Sequence, residues 1–237
     1  MASVPEPAPS TSANPPGRRY GGADPEQRRE RRRAALITAG LDVFGTDGYA
    51  RVSVKGICDQ AGLTQRYFYE SFADRAALLV AVYEDCVAFV RAATVQAAAG
   101  IADAELVETT TEGVPAERVP DVTRAALSAF MSCLADDPRR ARVMLVEVVG
   151  VSPEIERVRM RAIHDWAALI LALARGARPP SDRERLASVG LVGAVTQLLV
   201  DWYVAGAEEA DTKRFALDEI LDVCVELFVA AYGRLLT

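Results

Sequence analysis

Two adjacent side chains, Gln65 and Arg66, offer the clearest chemistry in this sequence. A glutamine amide can pair with N6 and N7 of adenine, and an arginine guanidinium can grip O6 and N7 of guanine. Each bidentate contact of this kind discriminates between bases by ~1–3 kcal/mol. Both residues lie at the start of a short predicted helix, three and four positions before Tyr69, so the three cluster on one flank. In a generic helical domain such residues would simply be solvated, so their meaning depends on the elements around them.

A block of basic residues near the N-terminus is the second chemical feature. The chain has a net charge of −6, yet residues 1–75 hold 11 Lys and Arg against 9 Asp and Glu. Five arginines fall between Arg28 and Arg33, and Glu30 is the only opposite charge among them. Because cations at the start of a helix oppose its dipole, helix stability does not explain the cluster. Such a block attracts a polyanion.

The residue types needed for catalysis or metal binding are scarce. The only histidine is His164, and the four cysteines are spread along the chain without a C-x-x-C pair. Neither a disulfide framework nor a zinc site can be read from this pattern. There is also no glycine-rich phosphate loop and no motif-spaced nucleophile and base. The sequence therefore predicts a protein that is not an enzyme and that uses no metal and no cofactor.

Three helices are predicted in the N-terminal third, after a proline-rich arm at residues 1–24 that cannot bury enough surface to order itself. Cap and stop signals predict helices from Pro25 to Gly45–Gly48, from Ser53 to Gly62 and from Thr64 to Phe72. The last two helices are short and joined by a few residues that include glycine, which is the spacing of a helix-turn-helix. We assign residues 25–73 to this domain.

Residues 74–237 form a larger unit in which only long helices are predicted, so the fold class is all-α. Apolar spacing and proline breaks predict helices from Leu78 to Ala99, Val122 to Leu134, Pro138 to Val149, Pro153 to Arg175 and Leu217 to Leu235. A further helix is predicted to begin after Ser181 and to end at about Gly206. A polar, threonine-rich loop to about Ala116 separates the first two. The last helix has two apolar flanks, one for the core and one for a partner.

The most apolar stretch, Val189 to Gly206, is interrupted by Thr196, Gln197 and Asp201. It falls at the short end of the roughly 20 residues that a membrane span needs, so we interpret it as a buried helix. The N-terminus lacks the apolar region of a secretory signal. No membrane association and a cytoplasmic location are therefore expected.

Residues 33–82 resemble the TetR family of tetracycline-repressor-like transcription regulators. The matching positions follow the family order without a gap: Ala39, Phe44, Gly48-Tyr49, Ser53-Val54, Ile57, Ala61-Gly62-Leu63, Thr64, Phe68-Tyr69, Phe72 and Leu78-Leu79. The segment from Val192 to Trp202 also looks like the family's dimer-forming penultimate helix. The resemblance implies an N-terminal three-helix, helix-turn-helix domain followed by a larger helical ligand-binding and dimerisation domain.

The chain departs from the family pattern at the end of the third helix. Glu70 and Ser71 stand where the family usually has a histidine or an aromatic residue, and Arg75 stands where it usually has a lysine. Arg75 keeps the charge, but Glu70 places an acid near the expected phosphate track. Phosphate contacts made from that position in relatives are therefore not carried over.

The resemblance places the helix from Thr64 to Phe72 in the major groove of a double-stranded DNA operator. The DNA-binding residues that it implies are Arg32, Arg33, Ser53, Lys55, Thr64, Gln65, Arg66, Tyr67, Tyr69 and Arg75. Gln65 and Arg66 would read bases, whereas Lys55 would contact the backbone. Ser53 is a backbone contact or only a cap, and the two tyrosines donate to phosphates or pack locally. The basic arm lies along the minor groove or is a solvated leader.

The resemblance also implies a homodimer formed through the last two helices and a small-molecule pocket among the middle helices. The candidate pocket residues are Phe130, Met144, Glu147, His164, Trp166, Gln197, Asp201 and Trp202. An effector would favour one distance between the two helix-turn-helix domains of the dimer over another. The expected function is a ligand-responsive transcription regulator, most simply a repressor of a palindromic operator. The alternative is a helical binding or scaffold protein with a vestigial DNA-reading head, which Glu70 and the net negative charge would suit.

Overall fold

The computed structural model describes residues 24–102, 113–207 and 215–235. Within these ranges the chain forms nine α-helices and no strand, so the predicted all-α fold is confirmed. The helices are α1 Pro25–Thr46, α2 Val54–Ala61, α3 Gln65–Ser71, α4 Arg75–Ala102, α5 Val119–Ala135, α6 Pro138–Arg142, α7 Pro153–Arg175, α8 Asp182–Ala207 and α9 Leu217–Leu235. The arm proposed for residues 1–24 lies outside the described residues except for Asp24, as does most of the threonine-rich loop.

Local capping chemistry sets the bounds of the two short helices. The Ser53 hydroxyl accepts a hydrogen bond from the Gly56 N–H at 3.1 Å, and Gly62 ends α2 in the left-handed region at φ 64°. Both features match the sequence-based expectation. Thr64 holds the N-cap position of α3, but its hydroxyl makes no capping hydrogen bond. That hydroxyl is exposed and is available to an outside partner.

The helix predicted from Pro138 to Val149 changes character halfway. After α6 the chain makes a π-helical turn over Val143–Glu147, hereafter the π turn. Such turns are rare and occur frequently at functional sites. Apolar spacing cannot reveal the π turn, because Val143 and Leu145 are buried in it as they would be in an α-helix.

One hydrophobic core joins the helix-turn-helix to the rest of the chain. Buried Leu36, Phe44 and Phe68 share a cluster with Leu79 of α4 and Val143 of the π turn. The division into domains at residues 73 and 74 stays a prediction, because this core crosses it.

α1 and α6 approach each other closely at Gly45. A Cβ atom placed on Gly45 would lie 2.7 Å from the Arg139 Cα atom, so only glycine fits there. Arg139 also donates a hydrogen bond to Asp42, which lies on α1 with Gly45. The helix-turn-helix is therefore packed firmly against the π-turn region.

A second core lies among α4, α5, α8 and α9, around Val90, Leu134, Leu199 and Cys224. A buried ion pair between Arg175 and Glu184 closes the turn from α7 to α8. The Ser181 hydroxyl reinforces this turn by donating to Glu184 Oε2 at 2.6 Å.

α8 is partly buried within one subunit. Among the described helices, it is the one that is long and apolar enough to cross a membrane, over Asp182–Gly206, by length and composition alone. Core helices of soluble proteins meet the same criterion, but only 22% of the apolar window is buried here. The helix predicted as buried therefore keeps an apolar surface that its own subunit does not cover.

Candidate nucleic-acid interface and effector cavity

α3 presents its polar side chains to solvent and anchors itself through one aromatic ring. Phe68 is fully buried, and its ring centroid lies 5.9 Å from that of Phe72. Gln65, Arg66 and Tyr69 are exposed. The three residues cluster as their spacing predicted, on a surface that a duplex could reach.

Arg32 and Arg33 fasten α1 to α3. The Arg32 guanidinium lies 4.4 Å from the centre of the Tyr67 ring, and that of Arg33 lies 4.9 Å from the centre of the Phe72 ring. Cation–π contacts of this kind hold the charged groups beside α3. The two arginines therefore have a packing role that the sequence did not indicate, and the ring of Tyr67 packs against Arg32.

Lys55 and Arg75 of the helix-turn-helix have partners within the chain. Lys55 is exposed on α2 and pairs with Asp59, and this hydrogen bond raises the pKa of the lysine. Arg75 is half-buried and donates hydrogen bonds to the backbone oxygens of Tyr49, at 3.1 Å, and of Val52. It closes the loop that precedes α2.

Glu70 lies between two arginines. Its Oε1 atom accepts a hydrogen bond from Arg66 Nε at 3.1 Å, and its Oε2 atom lies 3.7 Å from Arg32. Arg29 donates to its backbone oxygen at 3.4 Å. The acid is therefore neutralised locally.

A cavity of about 680 Å³ opens among α4, α5, the π turn, α7, α8 and α9. Four of the predicted pocket residues line it: Phe130, Met144, Trp166 and Gln197. The rings of Phe130 and Trp166 meet edge to face with centroids 5.2 Å apart. Its size is that of a small-molecule site.

The other four predicted pocket residues lie elsewhere, which corrects the expectation for them. His164 and Asp201 are exposed, and Asp201 accepts a hydrogen bond from Gln197 at 2.8 Å. Trp202 packs against the second core, and Glu147 points toward the helix-turn-helix. Sequence alone could not orient them, because the rotation of α7 and α8 depends on their neighbours.

Most polar groups of the cavity wall are already bonded within the chain. The Thr94 and Thr196 hydroxyls each donate to a backbone oxygen of their own helix at 2.8 Å, and the Tyr232 hydroxyl donates to Val114 at 3.1 Å. Among the described residues, Arg159 is the one charged residue that lines the cavity, and it pairs with Glu156 at 2.6 Å. The wall is consequently apolar in character.

Tyr83 was missed by sequence reasoning. It lines the cavity beside Arg159, and burial raises its pKa to about 12, so the hydroxyl stays protonated at neutral pH. Arg159, Ile163, Ile170 and Leu173, which form a stripe with Trp166 on α7, were also missed. The stripe's spacing of three and four residues was the available signal.

The π turn touches both the cavity and the helix-turn-helix. Met144 and Val146 line the cavity, whereas Glu147 Oε2 accepts a hydrogen bond from the Tyr49 N–H at 2.7 Å. Arg142 donates to Glu147 at 2.7 Å and also to the backbone oxygen of Thr46. Glu147 thus connects the π turn to the loop after α1, and Arg142 connects α6 to the C-terminal end of α1.

In the part of the chain that the structure describes, no three His, Cys, Asp or Glu side chains are grouped to hold a metal ion. Cys58, Cys86 and Cys224 are buried, and burial raises the pKa of Cys86 to about 12. These thiols are therefore poor nucleophiles.

The exposed helix-turn-helix stands on an all-helical body that holds an apolar cavity, and comparison with known proteins identifies the family of the N-terminal part. Residues 36–82 match the sequence profile of bacterial regulatory proteins of the tetR family. The resemblance is thus confirmed: the chain carries a TetR-family N-terminal domain. A search of curated protein sequences gave no match.

Solved TetR-family structures share the overall fold. The fatty acid degradation regulator FadR from Bacillus halodurans has a TM-score of 0.62 at 18% identity, covering 84% of this chain and 94% of that one. FadR from Bacillus subtilis, in complex with stearoyl-CoA, has a TM-score of 0.60 at 19% identity, covering 83% and 97%. A TetR-family regulator from Syntrophomonas wolfei has a TM-score of 0.62 at 17% identity, covering 88% and 98%.

Proposed function

We propose that this protein is a ligand-responsive transcription regulator of the cytoplasm, a repressor that an effector releases from a palindromic operator. The observation that carries the proposal is the π turn, which lines the cavity with Met144 and holds the helix-turn-helix through Glu147. A ligand bound in the cavity changes the conformation of the π turn and thereby the position of the helix-turn-helix. Catalysis has no part in the proposal.

In the proposed complex α3 lies in the major groove, and its exposed first turn reads base edges with Thr64, Gln65 and Arg66. Tyr69 contacts the phosphate backbone, as do the residues that flank the groove: Arg32, Arg33, Ser53, Lys55 and Tyr67. Arg75 supports the loop before α2. Of the proposed DNA contacts only Arg32 and Tyr67 are partly buried, where they pack against each other; the others are exposed.

A homodimer through α8 and α9 completes the operator-binding form. α8 exposes Leu186 by 75% and Val204 by 39%, and α9 exposes Val223 by 49% and Leu227 by 42%. A second copy that pairs the same two helices would cover both surfaces. It would also hold two reading heads for half-sites about 34–36 Å apart.

The effector that fits this cavity is long and largely apolar. Lining residues on α7 run from Arg159 to Ala174, which is about 22 Å at 1.5 Å per residue. One end carries Tyr83 and Arg159, and the other is lined by Val114 and Tyr232. The stearoyl-CoA complex of the Bacillus subtilis relative supports a ligand with a long hydrocarbon chain.

Linear alcohols of increasing length test this proposal for the cavity. From hexanol to decanol we expect affinity to rise about fourfold per methylene, because each buried CH₂ contributes ~0.8 kcal/mol. Titration calorimetry gives the affinities. Ala126→Trp, which fills the cavity, should abolish the trend, and the exposed Ala92→Trp on α4 should keep it. Affinity independent of chain length would contradict the proposed apolar ligand.

Removing the contact between the π turn and the loop after α1 tests the coupling. In the wild type we expect decanol to weaken operator binding by about 5- to 150-fold, the usual range of allosteric coupling. Glu147→Ala should bind decanol equally well yet lose most of that response, because Tyr49 loses its partner. Fluorescence anisotropy with labelled operator measures both. Asp222→Ala, which breaks a remote ion pair with Arg124, is the control.

Selection of bound fragments from random genomic DNA tests the function as a whole. The expected product is a small set of fragments that share an inverted repeat, located upstream of genes. If no fragment is enriched over bulk DNA, the regulator proposal fails and the vestigial-head alternative is favoured.

A further inference from the structure

Glu70 connects the two sides of α3. On one side it faces Arg32 of α1, whose side chain is 25% exposed, and on the other it holds Arg66, whose side chain is 84% exposed. Arg32 is itself fixed by its position over the Tyr67 ring, and Arg29 binds the Glu70 backbone oxygen. Glu70 therefore links a fixed arginine to one that points into solvent.

The atom through which Arg66 is held decides what it can still bind. Glu70 takes the Nε hydrogen of Arg66, at 3.1 Å, and leaves the two terminal nitrogens without a partner among the described residues. A bidentate contact with O6 and N7 of guanine needs a pair of such donors. A guanidinium held from behind loses less side-chain freedom when it binds.

We propose that Glu70 is a specificity-determining positioning residue, which orients Arg66 so that its terminal nitrogens face a guanine in each half-site. The inference rests on the proposed DNA-binding function. From sequence, Glu70 was only a reason not to carry over phosphate contacts from relatives, and it suited the vestigial-head alternative. The ion pair contributes little to folding because it is exposed, so its effect belongs to recognition.

Two roles for Glu70 predict different results. If the carboxylate only repels phosphates, its removal strengthens binding to every DNA sequence alike and leaves base preference unchanged. If it positions Arg66, its removal weakens the preference for one base pair and leaves the other positions unaffected.

The experiment compares the selected operator with operators substituted at each half-site position in turn. Arg66→Ala identifies the guanine at which discrimination is lost. At that position we expect Glu70→Ala to reduce discrimination by roughly 5- to 10-fold, part of the loss caused by Arg66→Ala itself. Glu70→Gln should retain most of the discrimination, because its amide oxygen can still accept from Nε.

Asp59→Ala is the matched control, since Asp59 forms the corresponding pair four residues after Lys55 on α2. It should change affinity for all sequences equally. A uniform change in Glu70→Ala, or no change, would overturn the positioning role, as would an Arg66→Ala variant that keeps all base preferences. If the wild type selects no DNA, the proposed function fails as well. Thermal unfolding confirms that each variant is folded.

Discussion

The double variant Gln65→Ala/Arg66→Ala is expected to lose at least about a thousandfold in affinity for the selected operator. A dimer would make four such base contacts, and at the lower bound of ~1 kcal/mol each they total ~4 kcal/mol. Anisotropy titration with operator and with scrambled DNA measures the loss. Binding to scrambled DNA should change far less, because phosphate contacts supply it.

Because the two substituted side chains are exposed, a loss of operator binding in the double variant can be attributed to recognition and not to unfolding. Gln65 and Arg66 are solvent-exposed on α3, so their truncation should leave the unfolding temperature close to that of the wild type. The control is Lys55→Ala, which should weaken binding to operator and scrambled DNA alike and lower the salt slope by about 0.9 per lost phosphate contact. Unchanged selectivity in the double variant would refute base reading by α3.

Charges placed on α9 are expected to produce the second large effect. In Val223→Glu/Leu227→Glu, four carboxylates would be buried without partners in the proposed twofold interface, so the dimer should dissociate to monomers at micromolar concentration. Operator affinity should fall at least about a hundredfold, because a monomer reads a single half-site. Sedimentation equilibrium and anisotropy measure the two effects.

A matched control separates charge from position. Met160→Glu adds one carboxylate per subunit, against two in the α9 variant, at an exposed apolar side chain of α7 outside the proposed interface, and should leave both the mass and the affinity unchanged. A dimer that persists in the α9 variant would contradict the α8–α9 interface. A monomer with full operator affinity would contradict recognition of two half-sites.

Local sequence features predicted the helices of the helix-turn-helix and the residues at which they begin and end. Ser53 and Gly62 act on their own or adjacent backbone groups, so their effect is legible without the fold. The burial of Phe68 and the exposure of Gln65 and Arg66 also follow from helical spacing. The helix bounds from Pro25 to Leu235 agree for the same reason, apart from the π turn.

Contacts between distant segments were not predictable in this way. The cation–π contact of Arg32 with Tyr67 and the bond from Tyr49 to Glu147 join residues far apart in sequence. Both depend on how α1 is rotated and on its close approach to α6 at Gly45. The same limitation applies to the cavity: Trp166 lines it, whereas His164, two residues away on α7, faces solvent.

The amino-acid order was therefore sufficient for the helical class, the family of the N-terminal domain and the residues suited to read bases, since these depend on spacing within one helix or one turn. Which side chains enclose the cavity, how Glu70 is held between Arg32 and Arg66, and where the π turn meets the reading head were decided only when the helices packed. Packing selects one rotation for each amphipathic helix from several of similar hydrophobic benefit, and that choice depends on all the neighbouring helices at once.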